Sequence, residues 1–95
     1  MSITLKPKFE LGQLVVTPGA MHALSRNGTD DSEYVERHQG GDWGDVSKDD
    51  AHENENALTQ DLELMSAYTL KDGTRVWIVT EADRSVTTIL LPEEY

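Results

Sequence analysis

From Leu62 to Leu91 the chain is built almost wholly of strand material, and this stretch narrows the possible folds more than any other. Leu62, Leu64, Ser66, Tyr68 and Leu70 alternate with Glu63, Met65, Ala67 and Thr69, the period of a strand with two different faces. Lys71-Asp72-Gly73-Thr74 follows. Asp-Gly is a strong hairpin signal, and the tightest such turn holds both central residues at positive φ. Arg75 to Thr80 is apolar on both faces, as a central strand should be. Glu81 to Ser85 reads as a second polar turn, and Val86 to Leu91 as a third strand stopped by Pro92. The expectation is a three-stranded antiparallel meander over residues 62–92, with Leu64, Tyr68, Trp77, Ile78, Val79, Val86 and Ile89 forming most of the core.

The N-terminal part supplies what packs on that sheet. Residues 1–8 read as a flexible tail. Gln13-Leu14-Val15-Val16-Thr17 is β-branched enough for a short strand. Thr17-Pro18 then starts a helix, because Thr can cap and the missing N–H of proline is harmless in the first turn. Gly28 suits its end. Tyr34, Val35 and His38 are spaced as one helical face that ends at Gly40-Gly41, although Tyr and Val would also suit a short strand. A third helix is predicted over residues 46–60. Ser47 and Asp50 have capping-box spacing, Val46 and Ala51 can form a hydrophobic staple, and Asp49 and Asp50 favour the positive end of the dipole. This helix is weakly amphipathic and should lie on the surface. The fold class is therefore α+β: the C-terminal meander plus an N-terminal strand, covered by two or three short helices.

Ninety-five residues make one domain. A chain of this length buries roughly 60 to 70% of its unfolded surface, enough for one modest core. It contains no cysteine, so neither a disulfide nor a thiolate zinc site supports it. No N-terminal apolar stretch resembles a signal peptide and no apolar run approaches a membrane span, so the expected setting is cytoplasmic.

The charge is segregated. The net charge is −10, and the segment from Asp30 to Glu63 holds twelve of the eighteen acids against Arg37 and Lys48 alone. The remainder carries six acids and six bases and is neutral. Such a segment attracts basic surfaces and repels nucleic acid. Solubility alone also favours acids on a small protein, but this concentration exceeds that need and carries a self-repulsion cost.

No spacing names a reaction. His22, His38 and His52 are not paired with another ligand at helical spacing, and there is no His-Glu-x-x-His pattern. Asp42, Asp45, Asp49 and Asp50 do not fit a calcium loop from any starting residue. There is no nucleophile elbow and no phosphate loop. Eight scattered bases make no stripe for nucleic acid. The chain is expected to be neither an enzyme nor a metal or cofactor protein.

A further signal lies in Phe9 to Ala20, the Gly41-Asp42-Trp43-Gly44-Asp45 loop, Asn54-Glu55, Ser66-Ala67-Tyr68 and the run Trp77-Ile78-Val79-Thr80-Glu81-Ala82-Asp83-Arg84-Ser85. These resemble a family of small, uncharacterised bacterial proteins carried by plasmids and integrated mobile elements, running from Phe9 to Tyr95. Some members are labelled as the M subunit of a type I restriction enzyme. That label does not fit here, since a modification subunit is several times longer and needs an S-adenosylmethionine site and an Asn-Pro-Pro-aromatic motif. The resemblance implies a setting: mobile-element proteins of this size and acidity are commonly inhibitors of host defence, anti-CRISPR and anti-restriction proteins among them. Many of these cover a cationic nucleic-acid channel.

Charge and resemblance lead to one expectation. The acidic segment docks on the basic surface of a bacterial nucleic-acid-targeting complex through Asp42, Asp45, Asp49, Asp50, Glu53 and Glu55. Trp43 is either a core residue pinning its loop or an apolar anchor at the interface. The chain itself is expected to be a monomer or weak dimer, without direct contact to nucleic acid or membrane. The competing expectation is a plasmid maintenance or regulatory subunit that acts through oligomerisation.

Overall fold

The computed structural model describes residues 7–95 of the chain. In order they form β1 (Gln13–Val16), α1 (Pro18–Arg26), α2 (Asp31–Gln39), α3 (Lys48–Gln60), β2 (Leu64–Thr69), β3 (Arg75–Thr80), β4 (Val86–Leu90) and a 3-10 turn, Pro92–Glu94. The four strands make one sheet in the order β1-β4-β3-β2. β2, β3 and β4 are the antiparallel meander, and β1 joins β4 in parallel, with Gln13 beside Val86 and Val16 beside Ile89. The fold is α+β, with a mixed sheet and three helices.

Each helix is bounded by the chemistry of its own ends. The Thr17 hydroxyl accepts from the Ala20 N–H at 3.2 Å, with Pro18 following it. Asp30 accepts from the Ser32 N–H, and Ser47 from the Asp50 N–H. Helices α1 and α2 both close on a glycine in the left-handed region. After α1, Thr29 N–H reaches Leu24 O and Gly28 N–H reaches Ser25 O; after α2, Asp42 N–H reaches Arg37 O and Gly41 N–H reaches His38 O. This is the doubled closure that satisfies the last carbonyls. Residues Glu33 to Gln39 are therefore helical, not a strand. Of the 1–8 tail expected to be flexible, residues 1–6 lie outside the described residues. Lys8 is anchored, its N–H bonded to Gln39 O at 2.8 Å.

The pleat decides which residues meet the helices. Leu64, Ser66 and Tyr68 of β2 share a face with Thr80, Ile78 and Val76 of β3 and with Thr87 and Ile89 of β4. Tyr68, Val76, Ile78 and Ile89 pack there with Ala20, Ala23, Leu24 and Val35 from the first two helices. Leu64 packs with Trp43 and Ala57 in a second, smaller cluster. Trp77 is adjacent to Ile78 and so faces the other way. It is half-buried on the far face, its ring 5.7 Å from that of Tyr95. Trp77, the half-buried Val86 and Val79, which is buried on the far face, are thus not part of the helix-side core, contrary to the expectation from sequence.

One turn also differs. The Asp-Gly hairpin is a three-residue loop: Gly73 N–H bonds Leu70 O and Leu70 N–H bonds Thr74 O. Gly73 has positive φ, at 90°, but Asp72 does not; its carboxylate instead accepts the Thr74 N–H and the Arg26 guanidinium. This is the turn followed by a left-handed residue that three-residue hairpins use. At the second turn Arg84 takes positive φ, and its guanidinium donates to the carbonyls of Ala57, Leu62, Glu81 and Ala82. The end of α3 and the β3–β4 turn are thereby tied together.

The loop 41–45 closes one sheet edge. Gly44 bridges to Ala67 of β2, with Ala67 N–H bonded to Trp43 O and Asp45 N–H to Ala67 O. Gly44 has φ of 72°, and a Cβ there would collide with the Ala67 carbonyl and the Tyr68 ring. Gly28 has a similar φ of 62° but open space around it. Gly44→Ala should therefore cost about 2 kcal/mol more than Gly28→Ala, since both share the backbone strain and only one adds the clash. Urea denaturation midpoints of the two variants measure the difference.

Candidate functional site

The residues singled out for binding divide into two groups in the structure. Trp43, Asp42, Asp45 and Glu55 hold the loop and α3 in place. Trp43 is only 6% exposed, packed beside Ala57 and Leu64 and partly stacked with Phe9. Its indole N–H donates to the Glu55 carboxylate at 2.8 Å. Trp43 is thus a core residue and is not available as an interfacial anchor, and Glu55 is committed to it. Asp42 pairs with the Arg37 guanidinium at 2.8 Å, which holds its carboxyl below the usual range. The Asp42 carbonyl also accepts the Tyr68 hydroxyl at 2.6 Å. Asp45 accepts the Thr69 hydroxyl at 2.8 Å.

Asp49, Asp50 and Glu53 form the second group. All three are exposed on α3, and Asp49 and Glu53, four residues apart, lie on one helical stripe. The inner side of α3 is fixed by Asn54, which is buried one turn on from Asp50 and binds the edge of β2 as another strand would. Its amide donates to Met65 O at 2.7 Å and its carbonyl accepts Met65 N–H at 3.1 Å. That docking turns the Asp49 and Glu53 stripe to solvent and leaves Asp50 exposed beside the contact. It also brings Glu63, just before β2, to a groove lined by Asp50, Glu53, Asn54 and Met65. At about 170 Å³ the groove is below the size of small-molecule pockets, so it suits a side chain. Glu63 was not among the residues picked from sequence; its place in the strand alternation gave no hint that it would meet α3.

The negative field is not cancelled internally. Among the described residues, Asp42 is the one acid of the segment from Asp30 to Glu63 in an ion pair. No group of three or more His, Asp or Glu side chains is gathered closely enough to hold a metal ion among the described residues. His22 and His52 are exposed on different helices.

His38 is the exception, fully buried between the two apolar clusters. Its Nδ1 lies 2.5 Å from Ser66 Oγ and its Nε2 lies 2.9 Å from Thr80 Oγ1. Thr80 Oγ1 is 2.8 Å from Thr87 Oγ1, which donates to Leu11 O at 2.7 Å. A carbonyl can only accept, and burial keeps the imidazole neutral, so every proton in the chain is assigned. Thr87 donates to Leu11, Thr80 donates to Thr87, His38 Nε2–H donates to Thr80, and Ser66 donates to Nδ1. The imidazole is neutral, protonated on Nε2. Burial, with the nearby Arg84 charge, pushes its pKa down to about 3. A Ser–His contact is half of a nucleophile arrangement, yet Ser66 and His38 are both fully buried and no substrate can reach them.

No helix among the described residues is long and apolar enough to cross a membrane. No protein-family model, curated protein or solved structure matches the chain.

The neutral imidazole makes stability depend on pH with a definite sign. The unfolded chain takes up a proton near pH 6.5 and the folded chain only near 3. Below pH 6.5 the unfolded state binds more protons, so stability falls by about 1.4 kcal/mol per pH unit and levels off only near the folded value. Carboxylates with lowered pKa, such as Asp42, add their loss only below about pH 4. Urea unfolding of the parent should thus weaken from pH 6.5 to 4.5, and His38→Gln should flatten that slope. In the parent, ¹⁵N NMR should find the His38 ring still neutral at pH 5.

Proposed function

We propose that this chain is a non-enzymatic binding protein. In this reading the acidic face of α3 occupies a cationic, nucleic-acid-handling surface of a bacterial defence complex, as anti-CRISPR or anti-restriction inhibitors do. The observation that carries the proposal is the exposed array Asp49, Asp50 and Glu53, joined by Glu63 and left without basic partners among the described residues. α3 is held to the sheet by Asn54 and to the β3–β4 turn by Arg84, and its first turn is capped by Ser47. The acids therefore project from a fixed support, and little ordering cost accompanies binding. A preorganised negative surface draws basic partners quickly and excludes nucleic acid from the site it covers. Function without turnover is consistent with a chemistry-bearing Ser–His pair sealed inside the core. The mobile-element setting and a cytoplasmic location belong to the same proposal.

Asp42, Asp45 and Glu55 remain near the acidic face and add to its field, but their carboxylates have structural partners. Reversing them would disturb the loop as well as the charge. Asp49→Lys with Glu53→Lys is the cleaner test, because both side chains point to solvent. The pair should leave the unfolding midpoint within about 0.5 kcal/mol of the parent. It should weaken binding to a captured basic partner about tenfold or more, mostly in the association rate. Raising salt should weaken the parent complex in the same direction. A complex indifferent to both changes would place the interface elsewhere.

A further inference from the structure

We infer that the free edge of β1 is a self-association surface, where a second copy of this chain pairs antiparallel across a two-fold axis. The two edges of the sheet are treated differently. Along β2, Asn54 holds both backbone groups of Met65, and Trp43 and Asp45 hold those of Ala67. Along β1, Gln13 N–H reaches Ser85 O and Thr17 N–H reaches Ile89 O, each at 2.9 Å. Alternation then turns the N–H and C=O groups of Leu14 and Val16 away from β4, and no element among the described residues lies beside them. Gln13–Val16 contains none of the lysines, prolines or bulges that usually blunt an open edge.

The side chains along this edge are apolar and exposed. Leu14 is 41% exposed, Val15 39% and Met21 of α1 59%, three of the five large hydrophobic side chains exposed among the described residues. Beside the edge, Val16, Met21 and Leu24 line a groove between β1 and α1, with Asp31 at its rim.

Charge selects the occupant. From Leu11 to Thr29 the chain has no carboxylate, and its one full positive charge, Arg26, is paired with Asp72. In a protein of net charge −10, this is where a second copy can approach without setting acid against acid. The carboxylates that flank this stretch are Glu10 and Asp30 along the chain and Glu94, which is bound by the Thr17 hydroxyl and the Gly19 N–H at the start of α1. A basic partner would instead be drawn to α3. Antiparallel pairing with the two-fold at Val15 sets Leu14 of each copy opposite Val16 of the other on the helix face, beside Met21. The two four-stranded sheets then form one of eight strands.

Sedimentation of the full chain from about 10 μM to about 1 mM, at low salt and at about 0.5 M salt, tests this. The expected result is a dimer that tightens as salt rises, because screening removes repulsion between like-charged copies while the apolar contact remains. Val15→Arg should raise the dissociation constant about tenfold or more. Leu14→Pro should do the same, since it removes an N–H that points away from β4 and so spares the β1–β4 ladder. Leu62→Arg, at an exposed apolar residue far from β1, should leave the dimer as it is. A monomer at all concentrations overturns the inference and leaves the edge to a foreign strand. A dimer that survives both edge variants, or loosens with salt, overturns it as well. The opposite salt responses of this contact and of the acidic face let either reading fail alone.

Discussion

Four polar side chains run in line through an otherwise apolar interior: Ser66, His38, Thr80 and Thr87, ending on the Leu11 carbonyl. They come from α2 and from all three strands of the meander, and they reach the segment that leads into β1. Each donor has one acceptor, and no buried side-chain nitrogen or oxygen lacks a partner among the described residues. A buried polar chain of this kind stabilises only when complete, because any slip of α2 along the sheet would strand several groups away from water. It therefore fixes the register of α2 on the strands. It also separates the larger apolar cluster under α1 and α2 from the smaller one around Trp43, Ala57 and Leu64.

The smaller cluster needs more than apolar area. Three buried residues with Phe9, Val46, Ala51 and Leu58 around them make a thin core, and α3 is correspondingly poor in apolar side chains. Polar contacts to backbone complete its attachment. Asn54 replaces a missing neighbour strand at Met65, the Gly44 loop does so at Ala67, and Arg84 collects the carbonyls at the end of α3. Hydrogen bonds to a charged group are worth more than neutral ones, which suits Arg84 to a site with four acceptors. These contacts satisfy the inner side of α3 and leave Asp49, Asp50 and Glu53 to solvent. The acidic character and the attachment of α3 are thus two sides of one arrangement.

Much of the fold was legible in the residues. The period of β2, the apolar run of β3, Pro92 after β4 and the Thr17 and Ser47 caps act over a few residues and gave the right elements. The misassigned positions are those where two local patterns compete. Trp77 is large and apolar in a central strand, yet the pleat sets it against the face of Ile78, and the helices cover only one side. Asp72-Gly73 matched the tightest hairpin, but the Asp72 carboxylate is drawn to Thr74 and Arg26, and the loop takes a third residue. Asp42, Asp45 and Glu55 look the same as Asp49 and Glu53 in a list of acids. What separates them is a partner 5 to 24 residues away: Arg37 for Asp42, Trp43 for Glu55, Thr69 for Asp45.

Two properties were therefore set along the chain and two were set across it. The segregation of charge and the succession of elements follow from composition and short-range periodicity, which the backbone reads locally. Which acids remain free, and which sheet edge stays open, depend on pairings between distant residues. Asn54 with Met65, Trp43 with Glu55, and Gly44 with Ala67 are separated by about a dozen to two dozen residues. Burial makes each of these pairings binding, because an amide, an indole N–H or a strand edge removed from water must find a partner in the fold. His38 shows the same rule in its sharpest form. In sequence it is one of three histidines, and only the closed core turns it into a neutral link between helix and sheet.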